Sequence, residues 1–163
     1  MPLTSTPQVG GGDIIAIVAG TADNTLPTTF TDAKYIQSCV NKMPQFFPDK
    51  EKIEYKTLDS KQAKSLLGGR GSIDGAISAY FTTELLEAHT YMVTQQETAA
   101  GCFWIVWYID SENRTVGVRA TCDEKIKTPE DESGNLNLKE IQISNIDEAV
   151  QYAQEGKPSG FGD

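Results

Sequence analysis

The sequence predicts a single β-rich domain with one helix. Three observations carry that expectation. Cys102–Ile109 is an unbroken apolar run rich in aromatic and β-branched residues, the segment after it alternates apolar and polar residues, and only one stretch, 83–99, places its apolar residues at helical spacing. At 163 residues the chain is long enough to bury a core without disulfide or metal staples. The domain is expected to span 13–155. The flanking segments MPLTSTPQVGGG (1–12) and GKPSGFGD (156–163) are small and polar without periodicity, and are expected to be flexible arms.

Ile14–Ala19 is the first strand, and after a Thr/Asn/Pro stretch Lys34–Val40 reads as the second. Asn41–Lys52 follows as a loop, because Pro44 and Pro48 argue against a helix or a central strand. It carries Met43, Phe46 and Phe47. Phenylalanines exposed on a loop are costly, so they bury either against a neighbouring copy or against their own core. Ile53–Leu58 alternates Ile53, Tyr55 and Thr57 with Glu54 and Lys56, the pattern of a half-buried strand.

Gly68, Gly69, Gly71 and Gly75 then punctuate the chain as turn residues. The segment GGRGSIDG lacks the Lys-Ser/Thr of a phosphate-binding loop and leads into a strand rather than a helix. That next strand, Ile73–Phe81, sets Ile77, Ala79 and Phe81 on one face. The helix starts at Thr83, with Thr82 able to cap it, Glu84 and Glu87 in the positive first turn, and Phe81 and Leu86 spaced as a hydrophobic staple. Gly101 is expected to end it. Its apolar stripe contains Leu85, His89 and Met92, which makes His89 a packed imidazole.

Cys102–Ile109 is expected to be a strand covered on both faces. Asp110–Asn113 turns the chain into Arg114–Asp123, giving a β-hairpin. With a Ser111–Asn113 loop the opposed pairs are Tyr108 with Val116, Val106 with Val118, Trp104 with Ala120 and Cys102 with Cys122, and Trp107 covers Gly117. Trp104, Trp107 and Gly117 are thus structural residues, as are Gly68, Gly69 and Gly75. The two thiols are expected side by side but reduced, since direct cross-strand disulfides are strained. Leu136–Ile146 is a later strand whose alternation shifts between Leu136/Leu138 and Ile141/Ile143, as a β-bulge near Lys139–Glu140 would produce. Residues 147–154 fit a short helix and a last strand equally.

Composition narrows the function. Fourteen Lys and Arg against 23 Asp and Glu give a net charge of −9. The nearest basic groups, Lys50/Lys52/Lys56 and Lys61/Lys64, are interleaved with Asp49, Glu51, Glu54 and Asp59, so tight binding to a phosphate backbone is not expected. Three cysteines without a CxxC, and one histidine, leave no zinc spacing. No GxSxG surrounds a serine, and the carboxylate pairs Asp49/Glu51 and Asp110/Glu112 and the trio Glu130/Asp131/Glu132 fall in turns, where solvation explains them. The segment DESGN lacks calcium-ligand spacing. No catalytic residue, cofactor or metal is expected. The first lysine is Lys34, which leaves no charged signal-peptide segment, and the longest apolar run is too short for a bilayer. A cytosolic, reduced protein without membrane contact is expected.

The order of segments across about residues 34–146 resembles the major tail protein (tail tube) family of long non-contractile phage tails. The resemblance rests on IEYKTLDSKQAKSLLGGRGSIDGAISAYF, then TTELLEAHTYMVTQQETAAG, then CFWIVWYIDSENRTVGVRATCDEKIKTP and GNLNLKEIQISNI. It implies a tail-tube-like β-sandwich or half-barrel with one flanking helix, closing into hexameric rings that stack as a tube for DNA ejection. The implied place is the virion tail, after synthesis in the bacterial cytoplasm. The implied partners are further copies of the chain and other tail proteins, such as the tape measure and tail terminator, with DNA passing through unbound. Ring stacking would fall to Asn41–Lys52, with Met43, Phe46 and Phe47, and to the N-terminal arm. The competing expectation is a monomeric β-sandwich binding module that holds a sugar or peptide on exposed aromatics such as Tyr80, Trp104 or Trp107.

Overall fold

The computed structural model describes residues 12–59, 61–73, 75–127 and 138–162. The protein is mainly β, with a curled half-barrel sheet and one helix. In chain order the elements are β1 (Ile14–Ala19), β2 (Lys34–Tyr35), β3 (Val40–Lys42), β4 (Lys50–Tyr55), β5 (Lys64–Arg70), β6 (Ala76–Tyr80), α1 (Thr83–Gln96), β7 (Phe103–Ile109), β8 (Arg114–Cys122), β9 (Leu138–Asn145) and β10 (Val150–Gln151). The sheet runs β2-β1-β7-β8-β9-β6-β3, with β10 added to β8, while β4 and β5 pair only with each other.

Burial on both faces explains the apolar run in β7. One face holds Ile15, Ile17, Phe103, Ile105, Val116 and Val118 against Leu85, Ala88 and Met92 of α1. The opposite face holds Ala16, Val18, Trp104, Val106 and Tyr108, covered by Phe30 and by Tyr152 and Phe161 from the far end of the chain. The C-terminal residues are therefore not a free arm. Phe161 is buried, its ring meets Phe30 edge-on at 5.0 Å between centroids, and the Gly162 N–H donates to the Tyr35 hydroxyl. The expected N-terminal arm, apart from Gly12, lies outside the described residues, as do Leu136 and the 130–135 loop.

The helix is capped as expected: the Thr82 hydroxyl accepts from the Leu85 N–H. It stops at Gln96 rather than near Ala99. Gly101, at φ 69°, closes the turn that follows the helix. Phe81 and Leu86 are 43% and 48% exposed, so they do not form a buried staple.

Several registers differ from expectation. The β7–β8 hairpin pairs Phe103 with Ala120, Ile105 with Val118 and Val106 with Gly117, one residue away from the expected match. The cause is Asp110. It leaves the strand and opens a 3-10 turn over Asp110–Glu112, which Asn113 closes at a left-handed φ of 48°, so the strands begin pairing at Ile109 with Arg114. Cys102 and Cys122 consequently point to opposite faces. Cys102 Sγ approaches the Thr21 carbonyl, whereas Cys122 lies against the helix-side core, and both thiols are free, as is Cys39. The ring over Gly117 is that of Trp104, not Trp107: a Cβ at this position would sit 3.3 Å from it.

Strand β9 has no bulge. It pairs with β6 in unbroken register from Leu138–Tyr80 to Gln142–Ala76, and Lys139 takes the inward place that an apolar residue would fill, beside Ile141 and Ile143. Lys34–Val40 splits into β2 and the start of β3. Of the ambiguous residues 147–154, Val150–Gln151 form a last strand. Gly68 and Gly69 lie inside β5 rather than at a turn, while Gly75, at φ 122°, is a turn residue.

Candidate functional site

The β4–β5 hairpin is where the molecule departs most from a self-contained domain. Residues Lys50–Tyr55 and Lys64–Leu67 are exposed along their whole length. The pattern of alternating residues that suggested a half-buried strand is present, but neither face of it is covered. Ile53 (47%), Tyr55 (40%), Leu58 (110%), Leu66 (57%) and Leu67 (70%) all face solvent. Ile53 pairs with Leu66 and Tyr55 with Lys64, so Ile53, Tyr55 and Leu66 share one side of the ribbon. A two-stranded ribbon without a covered face is at best marginally stable alone, and a cluster of apolar residues on it marks a contact surface.

The root of the hairpin is fixed even though its body is free. The Arg70 N–H donates to Glu148 Oε1 at 3.1 Å, its guanidinium donates to the Pro48 carbonyl at 3.0 Å, and the same group stacks over Phe47. The ribbon's charge also sets it apart. Between residues 50 and 70 six basic side chains face three acidic ones, giving +3, so the remainder of the chain carries −12.

The neighbouring segment Asn41–Lys52 does not present a pair of exposed phenylalanines. Phe46 is buried and meets the Trp107 ring edge-on at 5.4 Å, and Met43 and Phe47 are partly buried against the same core. Of the two expectations for these residues, folding back onto their own domain is what the geometry gives for Phe46. Proline-bounded loops and packed loops look alike in sequence, so nothing in the residues themselves separates the two. Exposure of Ile53, Leu66 and Leu67 is equally invisible there, because period 2 is the same whether or not a partner covers the strand.

Trp107 borders a cleft of about 670 Å³, lined also by Lys42, Met43, Pro44, Ser78 and Glu140. Its indole N–H donates to Asp13 at 2.9 Å, and the second Asp13 oxygen accepts from the Asp110 N–H. Trp104 is fully buried, with its N–H on the Thr21 hydroxyl, and cannot hold a ligand; Tyr80 is partly exposed on β6. His89 hydrogen-bonds through Nε2 to the Asp123 carbonyl at 2.9 Å, the packed imidazole expected of the stripe. Burial pushes the Cys122 thiol up to about 12 and also raises Cys39, so neither is an activated nucleophile. Among the described residues no group of His, Cys, Asp or Glu is arranged to hold a metal, and no helix is long and apolar enough to cross a membrane. No protein-family model and no curated protein matches the sequence.

Proposed function

We propose that this chain is a structural protein that assembles with copies of itself, and that its assembly is a tube of stacked hexameric rings of the phage tail type, serving as a conduit for DNA. The observation that carries the reading is the free β4–β5 hairpin: a rooted ribbon whose Ile53, Tyr55, Leu66 and Leu67 are exposed among the described residues and which pairs with no other strand there. The sheet adds to this. It is open, and its outer strands β2 and β3 are short, leaving edges that neighbours can pair with. In this proposal the ring-stacking role assigned to Met43, Phe46 and Phe47 passes to the hairpin, because Phe46 is committed to its own core. The acidic remainder of the chain suits a surface that DNA slides past. Tape-measure and terminator proteins remain the proposed further partners, and the virion tail the proposed location. The residues support no catalytic role in this reading.

Light scattering and negative-stain microscopy on concentrated protein test the proposal. Rings or tubes are expected, and their loss is expected when residues 51–69 are replaced by a short Gly-Ser turn that leaves the melting temperature nearly unchanged. A 17.8 kDa particle at every concentration overturns the reading. In that case the Trp107 cleft becomes the feature to probe, as the binding site of a monomeric module.

A further inference from the structure

We infer that the apolar groove along the outer face of α1 receives the β4–β5 hairpin of a neighbouring copy of this chain; the inference rests on the self-assembly reading above. The groove has a volume of about 450 Å³ and is lined by Lys34, Leu86, Glu87, Thr90, Tyr91 and Thr94. Leu86 is 48% exposed, and Phe81 just before the helix is 43% exposed, so the apolar surface continues past the groove. The inner side of α1 already faces β1, β2, β7 and β8, and among the described residues no further element packs extensively on its outer side.

Two properties select the hairpin as occupant. The first is shape and polarity: Ile53, Tyr55 and Leu66 form an apolar side on a thin two-stranded ribbon, able to lie along a helix where a broad sheet could not. The second is charge. The ribbon carries +3, whereas α1 contains Glu84 and Glu87 and no lysine or arginine. Lys34 is the cation of the groove, and it is already engaged over the Tyr91 ring at 5.7 Å. A molecule's own hairpin pairs only with itself and is rooted at Arg70 beside Pro48 and Glu148, so the contact runs between copies. Because donor and receptor are different surfaces, each copy offers one of each. Such contacts propagate into a ring or filament instead of closing in a pair.

Charge exchange tests this. Glu84→Lys with Glu87→Lys gives a chain whose helix repels the hairpin, and Lys56→Glu with Lys64→Glu gives one whose hairpin repels the helix. Each alone should need about tenfold more protein, or higher still, to assemble, since like charges face one another. An equal mixture should assemble near the wild-type concentration, because every hairpin then finds an opposite helix. All four side chains are exposed, and circular dichroism checks that each variant is folded. If either variant assembles alone as the wild type does, or if the mixture fails to recover, the inference is overturned while self-assembly stands. If the wild type itself never assembles, both fall.

Discussion

Strands β7 and β8 and strands β4 and β5 are both antiparallel hairpins, yet they sit at opposite limits of burial. Phe103–Val106 are fully buried with both faces covered, whereas Lys50–Tyr55 are exposed on both faces. The first pair is held by tertiary packing and the second mainly by its own ladder and the Arg70 root. A strand is thus no guarantee of a core. What separates the two is whether other segments of the same chain arrive to cover them, and among the described residues none covers the body of β4–β5.

The comparison can be broken at its strong end first. Trp104→Ala removes the largest fully buried side chain and should cost about 3 to 5 kcal/mol in urea unfolding, enough to threaten folding altogether. Phe46→Ala should cost nearly as much, about 3 kcal/mol, and Phe47→Ala clearly less, because Phe46 is buried against Trp107 while Phe47 lies at the rim. Equal, small losses at both positions would return Phe46 to the surface and restore it as an assembly contact.

A smaller effect follows from Cys122. Its thiol is raised from 9.0 to about 12 by burial, with Asp123 adding to the rise. The folded state therefore holds this proton over a range where the unfolded chain has released it. Stability from this group is complete below pH 9.0 and is lost as pH climbs towards about 12. Melting curves at rising alkaline pH should fall less steeply for Cys122→Ala than for the wild type, and alkylation of Cys122 in the native protein at neutral pH should be slow. Identical slopes would mean that the thiol is not protected. At the weak end, Ile53→Ser, Leu66→Ser and Leu67→Ser should each change monomer stability by no more than about 0.5 kcal/mol. A larger loss would show that the ribbon packs on its own domain after all.

The legible parts of the fold were those with local causes. Thr82 and Leu85 mark the start of α1, and the aromatic run marks β7. What stayed hidden depended on partners distant in sequence. Phe161 looks like a residue in a polar tail until Phe30 is beside it, and Lys139 reads as a break in alternation because its inward position is set by β6. The hairpin register turned on whether Asp110 ends the strand or opens the turn, which apolar matching cannot reveal when Val, Ala and Cys occur at every second position. Gly20 gave no signal at all, although a Cβ there would lie 1.9 Å from the Cys102 carbonyl oxygen. The exposure of the ribbon stayed hidden for the same reason: loop phenylalanines and ribbon leucines read alike in sequence, and only what covers them separates buried Phe46 from exposed Leu66 and Leu67.

Asn113 reaches further than its own turn. Its side chain accepts from the Tyr108 hydroxyl at 3.0 Å and donates to Glu155 at 2.9 Å, its carbonyl accepts from the Gly156 N–H, and the neighbouring Thr115 hydroxyl donates to the Gly156 carbonyl. The central hairpin is thus clasped by residues made some forty positions later. During synthesis the two strands can meet long before the clasp exists, and until then a register slipped by one keeps much of its apolar match. Glu155 and Gly156 therefore decide among pairings already formed, so a stall before residue 156 should leave nascent chains whose hairpin still slides.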